Sequence, residues 1–507
     1  MTARTLMIQG TASSVGKSIV CAALCRLFRQ RGLRVAPFKS QNMALNAFVT
    51  PDGGEIGRAQ AVQAEAARVV PTVDMNPILL KPEGDARSQV IVLGKSIGSL
   101  GAAEYHMRKP ELRTMVHASL DRLRATHDLV IIEGAGSPAE INLKDRDIVN
   151  MYVAHIAEAP VVLVGDIDRG GVFAAFVGTM ELLEPHERAR VGAFLVNKFR
   201  GDVKLLEPGL RFLEDRTQVP VLGVLPYVKQ LRVADEDSVS LEERRGRPRA
   251  AANQIDIAVV RLPRISNYDD FQPLEYEPDV VVRFVEHADA IEGADLVILP
   301  GTKATMADLE WLHATGFADA IAARASRALP VLGICGGCQM LGESIEDPHG
   351  VESTQQFAPG LGLLAFQTRF GPEKRTCQVR ARSARASFLT DAAAAEETLF
   401  GYEIHMGRLE RHAHASSSFR ILARNGAEVH ELDGDVSEDG TVVGTMIHGL
   451  FENASVRRTL LTHLRRAKGL SAPPPETTVG PRDEYDRLAD VVRQHVNMDL
   501  LEKLVQS

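Results

Sequence analysis

The sequence lacks several features that would place the protein in a membrane, outside the cell or on nucleic acid. No apolar run approaches the roughly 18 residues of a membrane-spanning helix. The N-terminal residues lack the basic and then apolar layout of a signal peptide, and there are only 5 cysteines. Positive charge is not in excess, because the formal net charge is -8. We therefore expect a cytoplasmic protein with no membrane span and no nucleic acid partner.

The length and composition indicate an ordinary globular protein of more than one domain. The chain has 507 residues, 45% hydrophobic and 24% charged, which is too long for one hydrophobic core. Residues 238–253 carry opposed charge blocks without apolar periodicity, so we predict a linker there. We expect a first domain at 1–237 and a second at 254–507, ending in one amphipathic helix over 485–505. The oligomeric state is not predicted.

Both predicted domains have an α/β pattern. In the first, continuous apolar runs such as 129–134, 161–166 and 191–198 alternate with helical patterns, which is typical of a parallel sheet flanked by helices. The alternation resumes after the linker, with apolar runs at 255–260 and 296–301. In such sheets ligands bind at the carboxyl ends of the strands.

The first strand leads into a glycine-containing loop typical of nucleotide binding. Gly16, Lys17 and Ser18 supply a turn, a cation for phosphate and a hydroxyl for magnesium, and Thr11 lies in the same loop. Five residues instead of the usual four separate the first glycine from Gly16. Ala12 replaces the second lysine that partition-type switch ATPases carry, which favours a synthetase over a switch.

Two acids end strands at the same predicted edge. Glu133 and Asp166 could hold Mg²⁺ directly or through water, beside Ser18. A helix cap or a loop hydrogen bond explains either acid equally well when it is taken singly. We therefore predict ATP and Mg²⁺ as ligands, with these acids as candidate metal contacts.

Polar loops near this edge suggest recognition of a polar substrate. The segment 36–46 contains Lys39, a candidate nucleotide contact, and the amides Gln41 and Asn42. A second loop, 137–147, contains Asn142 and Asp147. We predict these four amide and acid side chains, Gln41, Asn42, Asn142 and Asp147, as candidate substrate contacts.

The second domain contains the pattern of a nucleophile elbow. Cys335 follows an apolar strand and lies between glycines, as in the G-x-C-x-G counterpart of the serine elbow. The start of the following helix would favour its thiolate. The backbone at Gly336, together with Gly301 after another strand, is a candidate oxyanion hole. Cys338 completes a C-x-x-C pattern, but no second C-x-x-C or close histidine pair accompanies it, which disfavours a redox or zinc role.

The general base for this cysteine is expected to be a histidine distant in sequence. His448 follows a strand-like run and precedes a glycine, which makes it the preferred candidate. His405, in a similar setting, is the alternative.

These motifs together resemble the cobyric acid synthases of corrinoid biosynthesis over essentially the whole chain. The N-terminal half resembles dethiobiotin synthetase in the loop 10–18 and the segments 38–46, 54–60 and 137–143. The C-terminal half is similar to class I glutamine amidotransferases, including Gln339 after the cysteine. The resemblance implies Cys335 as nucleophile and His448 as base. Leu450 stands where most class I enzymes have glutamate, as is typical of this branch, so a Cys-His dyad is expected and its orienting partner is open.

The resemblance also implies the reaction. Glutamine would be hydrolysed at the cysteine, and its ammonia would replace phosphate on an ATP-activated carboxylate. The implied acceptor is adenosylcobyrinic acid a,c-diamide, amidated at side chains b, d, e and g with L-glutamine as donor. The alternatives are a cobyrinic acid a,c-diamide synthase, and a nucleotide-dependent regulator with an inactive amidotransferase fold.

Overall fold

The computed structural model describes residues 2–83, 87–229, 231, 233, 246–391, 396–471 and 481–506. The chain forms two compact units, and each contains segments from distant parts of the sequence. Unit 1 comprises Met1–Ala44, Glu55–Glu236 and Val479–Ser507, and unit 2 comprises Leu45–Gly54 and Asp237–Thr478. Among the described residues, no helix is both long enough and apolar enough to span a membrane.

The strands are numbered along the chain. The first twelve are β1 (Arg4–Gly10), β2 (Val35–Phe38), β3 (Gln41–Met43), β4 (Ala47–Val49), β5 (Glu55–Gly57), β6 (Ile78–Pro82), β7 (Arg87–Val92), β8 (Lys95–Gly101), β9 (Leu129–Glu133), β10 (Val161–Asp166), β11 (Val191–Phe199) and β12 (Val221–Pro226). The others are β13 (Ile255–Val260), β14 (Val280–Val285), β15 (Leu296–Leu299), β16 (Val331–Ile334), β17 (Ser344–Glu346), β18 (Phe357–Pro359), β19 (Phe366–Arg369), β20 (Arg375–Ser383), β21 (Leu399–His405), β22 (Arg408–Arg411), β23 (Phe419–Arg424), β24 (Ala427–Asp433), β25 (Asp435–Val436) and β26 (Val442–Thr445).

The α-helices connect these strands. They are Lys17–Gln30, Arg58–Ala67, Ala102–Thr126, Met151–Ile156, Val172–Leu182, Pro185–Arg188, Glu207–Thr217, Gln272–Glu275, Thr305–Ala314, Phe317–Ser326, Gly336–Leu341, Ala454–Lys468, Pro481–His495 and Met498–Gln506.

The main sheet of unit 1 is parallel and buried. Its strand order is β12-β11-β10-β1-β9-β2, and its central strand β1 is almost continuously buried. Continuous burial explains why these strands are uninterrupted apolar runs instead of alternating ones. The order places the end of β1, which opens the glycine-containing loop, between the ends of β9 and β10. A smaller sheet, β3-β6-β7-β8, belongs to the same unit.

The main sheet of unit 2 has the order β14-β13-β15-β16-β26-β25, in which only the short edge strand β25 is antiparallel. Two four-stranded sheets, β18-β17-β19-β22 and β21-β20-β23-β24, complete the unit. The neighbouring strands β15, β16 and β26 end just before Gly301, Cys335 and His448, respectively. Both units are therefore α/β, as predicted.

The C-terminal end differs from the prediction in two respects. It forms two helices, Pro481–His495 and Met498–Gln506, instead of one continuous helix over 485–505. Both belong to unit 1, not to the domain predicted for 254–507. The chain between the helices pairs with unit 1, where the Asn497 N–H donates to the Leu222 carbonyl at 2.8 Å. The amphipathic pattern indicates a packed face, but it does not specify which core that face covers.

The predicted linker is described only in part. Residues 238–245 lie outside the described residues, and 246–253 contain turns with no helix or strand. A second departure from the predicted domains is the short segment Leu45–Gly54, which belongs to unit 2 although the sequence places it inside the first domain.

Candidate active sites

Cys335 lies at a sharp turn between β16 and the helix Gly336–Leu341. Its backbone has φ 51° and ψ -111°, a conformation that residues other than glycine rarely adopt. The neighbouring glycines allow the turn to pack closely: a Cβ at Gly337 would lie 2.0 Å from the Leu299 carbonyl oxygen. The cysteine N–H donates to the Thr445 carbonyl at 2.8 Å, which ties the turn to β26. The strand, turn and helix that the sequence predicts are therefore present around the thiol.

The side chain of His448 is held by a carboxylate that the sequence did not identify. Nδ1 of His448 lies 2.7 Å from Oδ2 of Asp270, and the Gly449 N–H donates to Oδ1 of the same residue at 2.8 Å. The histidine and aspartate side chains are only 1% and 3% exposed. The two residues are far apart in sequence, so no local spacing could pair them; the one available signal was an acidic pair, 269–270, soon after β13.

The electrostatics of His448 favour its charged form. Burial alone lowers the pKa of this imidazole, but Asp270 and Cys335 together outweigh burial and raise the pKa from 6.5 to about 10. Because Asp270 occupies Nδ1, the nitrogen that faces the Cys335 thiol is Nε2. The geometry therefore supports a Cys-His-Asp triad, in which the cysteine is the nucleophile and the carboxylate orients the base.

The alternative base, His405, faces a different group. Its Nδ1 lies 3.1 Å from the Gly407 carbonyl oxygen, and its Nε2 lies 3.8 Å from Oε1 of Glu403. The nearest contact from this strand to the thiol is the Ile404 carbonyl oxygen, 3.8 Å from the Cys335 Sγ. These contacts favour His448 over His405 as the base.

Gly301 and Gly336 line the space beside the triad. A Cβ at Gly301 would lie 2.9 Å from Cε1 of His448, and a Cβ at Gly336 would lie 2.6 Å from the Cγ2 of Thr302. Side chains at these positions would therefore fill the space in which an acyl oxygen could sit. The oxyanion role of both glycines stays a prediction.

Cys338 has a different environment from Cys335. It is fully buried, and its Sγ is 2.8 Å from the position that a Cβ on Gly444 would take. Burial raises the pKa of this thiol well above 9.0, and Asp433 raises it further. Cys338 is therefore a neutral packing residue.

The glycine-containing loop of unit 1 surrounds the amino group of Lys17. Gly16 has φ 98°, and a Cβ at Gly10 would lie 3.0 Å from the Lys17 Nζ, so the loop has no room for side chains there. The lysine donates to the carbonyl oxygens of Ala12 and Gly136 at 3.1 and 3.2 Å. The Thr11 N–H donates to a neighbouring strand, at the Val164 carbonyl. The loop thus folds around a cation at the start of a helix, as phosphate binding requires.

Glu133, at the end of β9, is the centre of a buried polar cluster. Its Oε1 accepts from the Ser18 hydroxyl at 2.8 Å and from the Lys39 ammonium at 2.9 Å. Its Oε2 accepts from the Gln63 amide at 2.5 Å. The pairing of hydroxyl and carboxylate oxygens beside the loop fits Mg²⁺, which prefers oxygen ligands. Lys39, which the sequence predicts as a nucleotide contact, is therefore bonded to Glu133, which it predicts as a metal contact.

Asp166, at the end of β10, lies on the other side of β1 and has other partners. Its Oδ2 is 2.9 Å from the Lys198 ammonium, which also donates to the Ser14 carbonyl of the loop at 2.9 Å. The neighbouring Asn197 amide donates to the Val15 carbonyl at 2.8 Å. Sequence reasoning did not select these two residues, although they end an apolar strand as Asp166 does. They support the loop, and the metal role of Asp166 stays a prediction.

The four candidate substrate contacts have different settings. Asn42 is buried and donates to the Gln60 amide oxygen at 3.2 Å, and Gln41 accepts from the Tyr105 hydroxyl. Asn142 is exposed on the 3-10 helix Ile141–Arg146.

Asp147 has a structural role at the next helix. Its Oδ1 accepts the N–H groups of Val149 and Asn150 at 2.8 and 2.9 Å, and its Oδ2 accepts that of Tyr152 at 3.0 Å. The carboxylate therefore organises the start of the helix Met151–Ile156. Substrate contact by any of the four residues stays a prediction.

Comparisons with known proteins agree with this two-part organisation. Residues 6–241 match the CobQ/CobB/MinD/ParA nucleotide binding domain, and residues 256–456 match the CobB/CobQ-like glutamine amidotransferase domain. A cobyric acid synthase of Sorangium cellulosum is 65% identical over 100% of this chain and 99% of its own length. One of Dehalococcoides mccartyi is 52% identical over 98% of each chain. The solved PurLQS structure from Thermotoga maritima, with 20% identity, covers 42% of this chain and 99% of its own at a TM-score of 0.33.

Replacement of Asp270 by asparagine should lower the pKa of His448, because burial would then act without the opposing carboxylate. The charged imidazole stabilises the wild-type fold below pH 6.5, and this stabilisation is lost as the pH rises through the folded value of about 10. The difference in unfolding free energy between wild type and Asp270→Asn should therefore be largest near pH 6.5 and shrink towards pH 10. Denaturant unfolding over this range measures the difference. A constant difference would contradict the assignment of Asp270.

Proposed function

The chain belongs to the cobyric acid synthase family, and we propose that it amidates adenosylcobyrinic acid a,c-diamide at side chains b, d, e and g with ATP and L-glutamine. The names of its full-length relatives support this reaction. The observation that carries it is the presence in one chain of a cysteine at a strand-to-helix turn, a histidine bonded to a buried aspartate, and a glycine-containing loop with a buried carboxylate beside it. A regulator with an inactive amidotransferase fold would not need this cysteine, histidine and aspartate.

In the first half-reaction the thiolate of Cys335 attacks the side-chain carbonyl of glutamine. His448, oriented by Asp270, gives its proton to the departing nitrogen, so that ammonia leaves and a γ-glutamyl thioester remains. The backbone at Gly336 and Gly301 would stabilise the developing oxyanion. Water then releases glutamate and restores the thiol.

In the second half-reaction an oxygen of the acceptor carboxylate attacks the terminal phosphate of ATP, and ADP leaves. Lys17 and the loop N–H groups would hold the phosphates, and Ser18 with Glu133 would hold the magnesium ion. The ion would neutralise charge on the phosphates. Ammonia then attacks the acyl carbon and phosphate departs, which turns an unreactive carboxylate into an amide.

Product mass tests the acceptor. Incubation of the purified protein with the a,c-diamide, glutamine and Mg-ATP should give an acid whose mass corresponds to four carboxylates converted to amides, because the proposal requires amidation at four side chains. Mass spectrometry of the corrinoid measures the product. Amidation of the unamidated acid, with the diamide left unchanged, would instead indicate a cobyrinic acid a,c-diamide synthase.

Lys17→Ala should abolish amide synthesis with either glutamine or ammonium as nitrogen source, a loss of about 100-fold or more, because carboxylate activation precedes both routes. Lys95→Ala is the matched control, since it removes an exposed lysine from the same unit. Initial rates of corrinoid amidation, measured for both variants with each nitrogen source, test this prediction. Ammonium-dependent synthesis at the wild-type rate in Lys17→Ala would overturn the nucleotide assignment.

Cys335→Ala should lose glutamine-dependent synthesis but keep synthesis from high ammonium, because only the thioester step is removed. Cys338→Ala should retain most of the glutamine-dependent rate, since this thiol is neutral and faces the core. Glutamate release and corrinoid amidation, measured in parallel, separate the two cysteines. The elbow assignment fails if the two variants show the reverse pattern.

A further inference from the structure

A segment from the N-terminal part of the chain is built into unit 2. Leu45–Gly54 belongs to this unit, and within it Asn46 is fully buried. The side-chain oxygen of Asn46 accepts the Tyr268 N–H at 3.3 Å. The next residue, Ala47, accepts at its carbonyl from the Asn267 amide at 3.1 Å. Two consecutive residues of the segment therefore hold the turn that precedes Asp270.

This turn carries the carboxylate of the triad. Asn267 has a left-handed backbone with φ 52°, and its carbonyl accepts the Asp270 N–H at 3.1 Å. The turn continues as the 3-10 helix Tyr268–Phe271, which contains Asp270. A shift of the turn would therefore move the carboxylate that is bonded to Nδ1 of His448.

The same asparagine also reaches the ring that covers the base. The Asn267 amide donates to the Tyr402 hydroxyl at 2.7 Å, in addition to its bond with Ala47. The Tyr402 ring stacks on His448, with ring centroids 5.2 Å apart and an interplanar angle of 14°. The backbones of these two residues also exchange hydrogen bonds at 2.8 and 3.1 Å. Asn267 therefore bonds to Asp270, which contacts one edge of the imidazole, and to Tyr402, which stacks on its face.

Buried amides of this kind impose a defined geometry. Loss of one partner would leave a backbone N–H or a carbonyl without its bond in a buried site, where neighbouring groups must shift to compensate. A displacement of about 1 Å in a catalytic group can cost about 100-fold in rate.

We propose that Asn46 is a positioning residue for the thiol site, acting through its bond to the Tyr268 N–H and the turn at 266–270 on the orientation of His448. This inference rests on the proposed function, because it concerns the use of glutamine. It assigns a role in glutamine hydrolysis to a residue of the segment 36–46, in which Gln41 and Asn42 are predicted as substrate contacts of the other half-reaction.

Kinetics of Asn46→Ala test the proposal. We expect kcat for glutamate release from glutamine to fall about 10- to 100-fold, with KM for glutamine within about twofold of wild type. Synthesis from high ammonium should stay within about twofold of wild type, because it bypasses the triad. Asn267→Gly is the second variant, since glycine accepts the positive φ while losing both side-chain bonds, and it should show the same pattern.

Thr50→Val is the matched control. Thr50 is fully buried in the same segment. Among the described residues its hydroxyl bonds only within the segment, to Asp52 and Gly54, so this variant should keep wild-type kcat for glutamine. Wild-type glutamine kcat in Asn46→Ala would overturn the proposal, whatever the result for Asn267→Gly. Equal losses with glutamine and ammonium would also overturn it, because they would indicate a general structural role.

Cys335→Ala, measured alongside, distinguishes the two possible failures. Retained glutamine use in that variant would refute the thiol assignment itself. Lost glutamine use there, with Asn46→Ala at the wild-type rate, would refute only the role of Asn46.

Discussion

The buried contact between His448 and Asp270 is the interaction on which the thiol site depends. Removing two charges from water costs several kcal/mol per ion unless each charge is paired and hydrogen-bonded. Here the carboxylate has both oxygens occupied, by the imidazole and by the Gly449 N–H. Because the pair satisfies its own bonds, the other imidazole nitrogen is available to the thiol. The contact with His448 therefore depends on the position of the turn that carries Asp270.

In unit 1, Glu133 is another buried carboxylate whose charge has to be compensated by neighbouring groups. This carboxylate is buried at the end of β9 and is compensated by a lysine, a hydroxyl and an amide from different elements of the unit. The same groups that stabilise the buried charge, Ser18 and Lys39, come from the predicted nucleotide and substrate segments. The buried carboxylate therefore depends on Ser18 and Lys39 for its hydrogen bonds and for part of its charge compensation.

Close backbone packing explains why both sites are rich in glycine. At Gly337 a side chain would collide with the Leu299 carbonyl, and at Gly16 it would collide with the Asn197 amide. In each case the residue lies where a strand turns into a helix, so the backbone can present N–H groups to a ligand. The glycines are therefore requirements of the turn geometry, and this is why the motifs are visible in the sequence.

The sequence by itself determined the α/β class of both units, the phosphate loop and the nucleophile elbow. These features depend on consecutive residues, because an apolar run forms a buried strand and glycines permit the turn that follows it. Tertiary structure alone decided the partner of His448, the placement of the C-terminal helices in unit 1 and the placement of Asn46 in unit 2. Each of these depends on contacts between residues that are far apart along the chain. The amphipathic pattern of 485–505 indicates that one face is buried, but it does not specify the core against which that face packs. The acidic pair at 269–270 indicates charge, but it does not specify the residue to which the charge is bonded. Burial and hydrogen-bond geometry select that partner only when the whole chain has folded.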